Sequence, residues 1–134
     1  MRVVIDANVL IAAYASRGLC EATVELCVSS HDIILTQQIV DDVVEKLIVK
    51  IKVPQTTASS VGAYLKNTAT IVLATEVPAS ACRDRDDLNV LGAALAGEAD
   101  CIITGDGDLL TLGAYEGIPI MSPRRYWEML KKQN

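Results

Sequence analysis

Aspartates recur at the points where short apolar runs end. RVVIDAN (2–8), CIITGDGD (101–108) and the RDRDD cluster (83–87) show this pattern, and QQIVDDVVEK (37–46) adds a further acidic position. Val3-Val4-Ile5 and Cys101-Ile102-Ile103 have the unbroken apolar character of parallel strands buried on both faces. In open α/β sheets the ligand crevice lies at the carboxyl ends of the strands. Asp6 and Asp106 are therefore both expected at that crevice. Carboxylates gathered without matching histidines or cysteines suit hard cations, Mg²⁺ or Mn²⁺. Such ions serve the cleavage and transfer of phosphoryl groups.

Each acid also has an ordinary structural use. Asp6 opens a helix and fits an N-cap, with Asn8 able to cap the same turn or hold the carboxylate. Asp84, Asp86 and Asp87 crowd the start of a largely apolar helix. The helix dipole favours acid there, yet capping needs only one of them, and their mutual repulsion would be relieved by a cation. Thr104-Gly105-Asp106-Gly107-Asp108 reads as a tight turn after a strand, and Asp108 could cap the short helix that follows. Asp41, Asp42 and Glu45 share a helix whose polar face needs charge in any case. The joint placement of these acids carries more weight than any one of them.

The elements that position them alternate along the chain. Strands are expected at 2–5, 33–35, 70–73 and 101–103, with an edge strand at Ile118-Pro119-Ile120, where proline is tolerable. Helices are expected at 7–15, 19–29 (after a break at Gly18), 37–50, 54–67, 86–97, 107–112 and 122–132. In 37–50 the apolar positions Ile39, Val40, Val43, Val44, Leu47 and Ile48 mark one face. Alternating strands and helices imply a parallel sheet covered on both faces.

The chain has 134 residues, 51% of them apolar, which suits one domain with a sizeable core and excludes disorder. No apolar run reaches the about 20 residues of a membrane span, and the first residues do not read as a signal peptide. The four cysteines form no C-x-x-C pair and read as small core residues in a reducing compartment. A net charge of −5 argues against bulk electrostatic binding of nucleic acid. It leaves room for an enzyme whose acids are neutralised locally by metal. Arg17, Lys46, Lys50, Lys52, Arg83, Arg85, Arg124 and Arg125 are candidates for local basic rims, though most read as solvated surface. His31, the only histidine, lies in a polar turn and reads as a surface residue, so a histidine-based nucleophilic triad has no well-placed base. No phosphate-binding glycine loop is present. Tyr126 and Trp127 read as packing anchors of the last helix.

Three segments together resemble the PIN-domain ribonucleases, in particular the VapC-like toxin components of toxin–antitoxin modules. They are DANVLIAA (6–13), RDRDDLNVLGAALAGEADCIITGDGDLL (83–110) and SPRRYWEML (122–130). With the helix at 36–50 the resemblance spans essentially the whole chain. It implies a three-layer α/β/α sandwich around a parallel sheet, residues 1–134 forming one PIN-like domain. It also implies an acidic pocket for Mg²⁺ or Mn²⁺ and endonucleolytic hydrolysis of single-stranded RNA in the cytoplasm. A small antitoxin partner and a homodimer are implied as well.

Carried over by position, the resemblance makes Asp6, Asp42, Asp87 and Asp106 the catalytic acids. It assigns Asp6, Asp87, Asp106 and Asp108 to the metal, and Asn8, Asp84 and Thr104 to supporting roles. The second acid departs from the family, which usually has glutamate. The register points to Asp42, one methylene shorter, with Asp41 as the neighbouring possibility. That departure motivates a competing reading as a catalytically weak or inactive PIN-like binding module. A phosphoacceptor domain is disfavoured, because Asp6-Ala7-Asn8 offers neither an acid pair nor D-x-D after the first strand.

Overall fold

The computed structural model describes residues 1–16 and 18–133. Arg17, a rim candidate, lies outside the described residues. The elements run β1 (Arg2–Ile5), α1 (Ala7–Ala15), α2 (Leu19–Ser30), β2 (Asp32–Leu35), α3 (Gln37–Val49), α4 (Gln55–Thr68) and β3 (Thr70–Ile71). After a 3₁₀ turn at Ala79–Ala81 come α5 (Arg85–Ala96), β4 (Cys101–Ile103), α6 (Gly107–Leu112), β5 (Ala114–Tyr115), β6 (Ile118–Met121) and α7 (Pro123–Gln133).

The strands form one sheet in the order β3-β2-β1-β4-β6-β5, parallel throughout except for β5. Val3, Val4 and Ile5 of β1 lie between β2 on one side and Cys101–Ile103 of β4 on the other, and all are buried. The steps from β1 to β2 to β3 travel one way across the sheet, and the step from β3 to β4 returns past β2 and β1. Right-handed crossovers therefore place α1–α4 on one face and α5 on the other, giving the α/β/α sandwich. The chain reverses its direction between β1 and β4, and such a switch point opens a crevice at the strand ends.

Helices that follow parallel strands begin at the carboxyl edge of the sheet, and here their first turns are closed by side chains. Asp6 caps α1, Thr36 caps α3, Asp84 caps α5 and Asp106 caps α6. Helix α3 buries Ile39, Val40, Val43 and Leu47, the stripe its periodicity predicts. Tyr126 of α7 is fully buried, and the Cys27 thiol donates to its hydroxyl at 3.6 Å. All four cysteines are free.

Two sequence expectations need correction. Ile118–Met121 is not an edge strand, because the two-residue β5 pairs with it through Ala114↔Pro119 and Tyr115↔Ile118 and takes the edge. The strand expected at 70–73 ends at Ile71 apart from one further bond, Val72 N–H to the Leu35 carbonyl at 2.9 Å. The chain then turns toward α5, where Thr75 N–H donates to the Gly92 carbonyl at 3.0 Å. A Cβ at Gly92 would lie 2.3 Å from the Thr75 carbonyl oxygen, so the close approach depends on glycine.

Candidate metal centre

The ladders continue one residue past the strands: Asp6 N–H bonds the Ile103 carbonyl of β4 at 2.9 Å, and Thr104 N–H bonds the Met121 carbonyl of β6 at 3.0 Å. This sets Asp6 beside Thr104. Asp6 Oδ1 accepts from Ala7 N–H at 2.8 Å, the capping bond. Its Oδ2 accepts from the Thr104 hydroxyl at 2.7 Å and from Asn8 Nδ2 at 3.3 Å. Asn8 Oδ1 in turn accepts from Gly105 N–H at 3.0 Å, and the Thr104 hydroxyl accepts from Asp106 N–H at 3.0 Å. Thr104 and Asn8 thus tie the start of α1 to the turn after β4. Burial raises the Asp6 pKa, the Thr104 and Ala7 bonds oppose that rise, and the charges of Asp106 and Asp42 add to it.

Asp106 spends Oδ1 on the first turn of α6, accepting from Asp108 N–H at 2.9 Å and Leu109 N–H at 3.1 Å. Asp87, in the first turn of α5, is only 5% exposed. Its Oδ2 is buried without a hydrogen-bond partner, where a buried carboxylate oxygen normally has one. Burial, followed by the charges of Asp106, Asp84, Asp6 and Asp108, pushes its pKa to about 7. Carboxylate oxygens of Asp87, Asp106 and Asp108 lie within 4.8 Å of one another. The unpartnered Asp87 oxygen and the all-oxygen donor set both fit a hard divalent cation.

Not every candidate acid joins that group of three. Asp6 is linked to it through Thr104 and Asp106. Asp42 lies across a narrow cleft, lined also by Asp6, Gln38, Asp86 and Asn89, with room of ≈ 10 Å³, the scale of a single water. Asp41 is exposed and accepts from Gln37 Nε2 at 2.8 Å, away from this cleft. Asp84 caps α5 by accepting from Asp86 N–H at 2.9 Å. Asp108 is exposed, and both its oxygens accept from Arg83 Nη2, at 3.1 and 3.2 Å.

Two polar residues of the cleft, Gln38 and Asn89, escaped the sequence reading, and Lys46 beside it entered only as a basic-rim candidate. Gln38 donates to Asp86 at 2.9 Å and Lys46 to Asp42 at 3.1 Å. Asn89 accepts from the Thr36 hydroxyl at 2.6 Å. The i, i+4, i+8 spacing of Gln38, Asp42 and Lys46 was the available signal, but only the fold shows what that stripe faces. His31 is held by the amino group of Met1, 3.1 Å from Nδ1, and by an edge-on contact with Tyr126. An apolar groove of ≈ 490 Å³ lies elsewhere, among α1, α2, α3 and α4, lined by Leu10, Tyr14, Val24, Val28, Val61 and Tyr64.

Comparison with known proteins agrees with this architecture. No curated protein matches the chain. A chain in the crystal structure of VapBC2 from Rickettsia felis, bound to a DNA fragment from their promoter, superposes with a TM-score of 0.62 at 12% identity. The match covers 91% of this chain and 98% of that one, and at this identity it speaks to the fold. A family model of the PIN domain matches residues 2–108, which takes in β1, the whole acid cluster and the turn that carries Asp106 and Asp108. By that match, over most of its length, the chain belongs to the PIN domain family.

Proposed function

We propose that this PIN domain is a metal-dependent endoribonuclease that hydrolyses single-stranded RNA, the toxin of a toxin–antitoxin pair. The observation that carries the reading is the Asp87 carboxylate, with its buried, unpartnered Oδ2, gathered with Asp106 and Asp108 at the switch point of the sheet. Asp87, Asp106 and Asp108 hold Mg²⁺ or Mn²⁺, with Asp6 close by in a position fixed by Thr104 and Asn8. A divalent ion bound there supplies a water of lowered pKa and neutralises charge on the phosphodiester.

The protein's own residues do the rest. Asp84 keeps the first turn of α5 closed, so Asp87 is presented from a fixed backbone. His31 is engaged elsewhere, so a carboxylate takes the proton of the attacking water. Asp42 suits that role, since it lines the cleft with Asp6 and Lys46 engages only its Oδ2. The enzyme works in the cytoplasm as a homodimer. Among the described residues no helix is long and apolar enough to cross a membrane.

The partner is a small antitoxin protein. The VapBC2 likeness supports that class of partner, and the apolar groove with its half-exposed Tyr14 and Tyr64 supports a protein contact. A second reading, a catalytically silent PIN module, is favoured by one observation: the shortened second acid is already engaged by a lysine. Incubation with mixed single-stranded and duplex RNA separates the two. The nuclease reading expects Mn²⁺-dependent cleavage of single strands that EDTA stops and Asp106→Asn abolishes. Intact RNA under all conditions would favour the silent module.

A further inference from the structure

Helix α3 carries Gln38, Asp42 and Lys46 in one stripe beside the acid cleft. Gln38 reaches across to Asp86 on α5, Asp42 lines the cleft, and Lys46 Nζ donates to Asp42 Oδ2 at 3.1 Å. Both partners are partly covered, with side chains 36% and 25% exposed. An i, i+4 pair on an open helix surface contributes little to stability. This one differs in its surroundings. The Lys46 ammonium is held above its ordinary pKa by the hydrogen bond to Asp42, and the charges of Asp86 and Asp6 reinforce that.

A polyanionic substrate that approaches Asp6, Asp42, Asp86, Asp87, Asp106 and Asp108 meets repulsion at every step. Two basic side chains form ion pairs with those acids among the described residues, Arg83 with Asp108 and Lys46 with Asp42. Arg83 is 88% exposed and held by little else. Lys46 is partly covered and sits on α3 one turn beyond Asp42. Its ammonium has three donors, of which Asp42 uses one.

We propose that Lys46 binds the RNA backbone, its ammonium anchored by Asp42 Oδ2 and directed to a phosphate oxygen on the α3 side of the cleft. This rests on the nuclease reading, and it gives the shortened second acid a further duty as the anchor of a substrate-binding lysine.

The test compares wild type with Lys46→Gln and Lys46→Arg in two assays. Fluorescence anisotropy with a labelled, mixed-sequence single-stranded RNA, in Ca²⁺ to limit turnover, reads binding. In it, Lys46→Gln weakens binding about tenfold and makes the slope of log K against log salt shallower by about 0.7, the value for one lost phosphate contact on a single strand. Lys46→Arg restores most of the affinity. Steady-state cleavage in Mn²⁺ shows the same split, with KM raised and kcat within about twofold. Unchanged binding and salt slope in Lys46→Gln, or wild type that binds no RNA, overturns the proposal. So does a kcat loss that Lys46→Arg leaves unrepaired. Wild type that binds RNA through Lys46 but cleaves none refutes the nuclease reading and leaves the lysine assignment standing, so the two failures are distinct.

Discussion

Thr104 donates its hydroxyl to Asp6 Oδ2 at 2.7 Å, joining the ends of β1 and β4 across 98 residues of sequence. The same hydroxyl accepts from Asp106 N–H. One fully buried side chain therefore fixes the orientation of one acid and the backbone of another.

Removing that hydroxyl tests how far it organises the acids. Thr104→Val keeps the volume but leaves the Asp6 carboxyl and the Asp106 N–H each short of a partner. The expected loss of stability is about 1–3 kcal/mol, with the Asp6 carboxyl moving further up from its ordinary range. Mn²⁺ affinity should fall about 10-fold or more, as it does when groups that orient metal ligands are lost. Thr104→Ser, which keeps the hydroxyl, should retain most of that affinity. Urea unfolding and metal titration of the two variants check this, and equal affinities in both would remove Thr104 from the site.

Asp87 predicts a pH dependence. Its carboxyl titrates near 7 when folded and near its ordinary 3.8 when unfolded. The folded protein therefore holds this proton more tightly, and this group's contribution favours the metal-free fold on the acid side. Stability falls as pH rises between about 4 and about 7, by up to about 1.4 kcal/mol per unit from this group. In Asp87→Asn that contribution is absent, so the variant gains on wild type as pH rises through the window. Melting curves of metal-free protein across the range test it. Parallel profiles for the two proteins would mean that Asp87 titrates normally.

The neighbouring acids of α3 should separate cleanly. Asp42→Ala is expected to lower Mn²⁺-dependent cleavage by about 100-fold, the scale of a lost general base. Asp41→Ala, turned about 100° around the helix and exposed, should leave cleavage within about twofold. A loss in Asp41→Ala with Asp42→Ala silent would transfer the role to Asp41.

Much of this was legible in the sequence because local chemistry agrees with the fold. Asp6 and Asp106 end apolar runs and open helices, so strand, turn and cap coincide at one residue, and the two carboxylates fall at the same sheet edge. The apolar periodicity of α3 is equally explicit. The edge of the sheet was not legible. The pair Ala114–Tyr115 is too short for any period, and the hairpin around it relies on Gly113 and Gly117 at positive φ. The early end of β3 was hidden as well, since it depends on the contact of Thr75 with Gly92, seventeen residues on. Lys46 shows the same limit. Its spacing from Asp42 is local, but its nearness to Asp6 and Asp86 belongs to the tertiary structure.

The central claim is that the acid cluster is a metal centre, and calorimetric titration of Mn²⁺ into the metal-free protein tests it most directly. The titration is best run above the Asp87 pKa of about 7, where metal has no proton to displace. Wild type should bind Mn²⁺ saturably. Asp87→Asn and Asp106→Asn should each lose about 10- to 100-fold in affinity, while metal-free Asp87→Asn melts no lower than wild type because a crowded charge has been removed. Affinities in the two variants equal to wild type, or no saturable binding by wild type at all, would contradict the account.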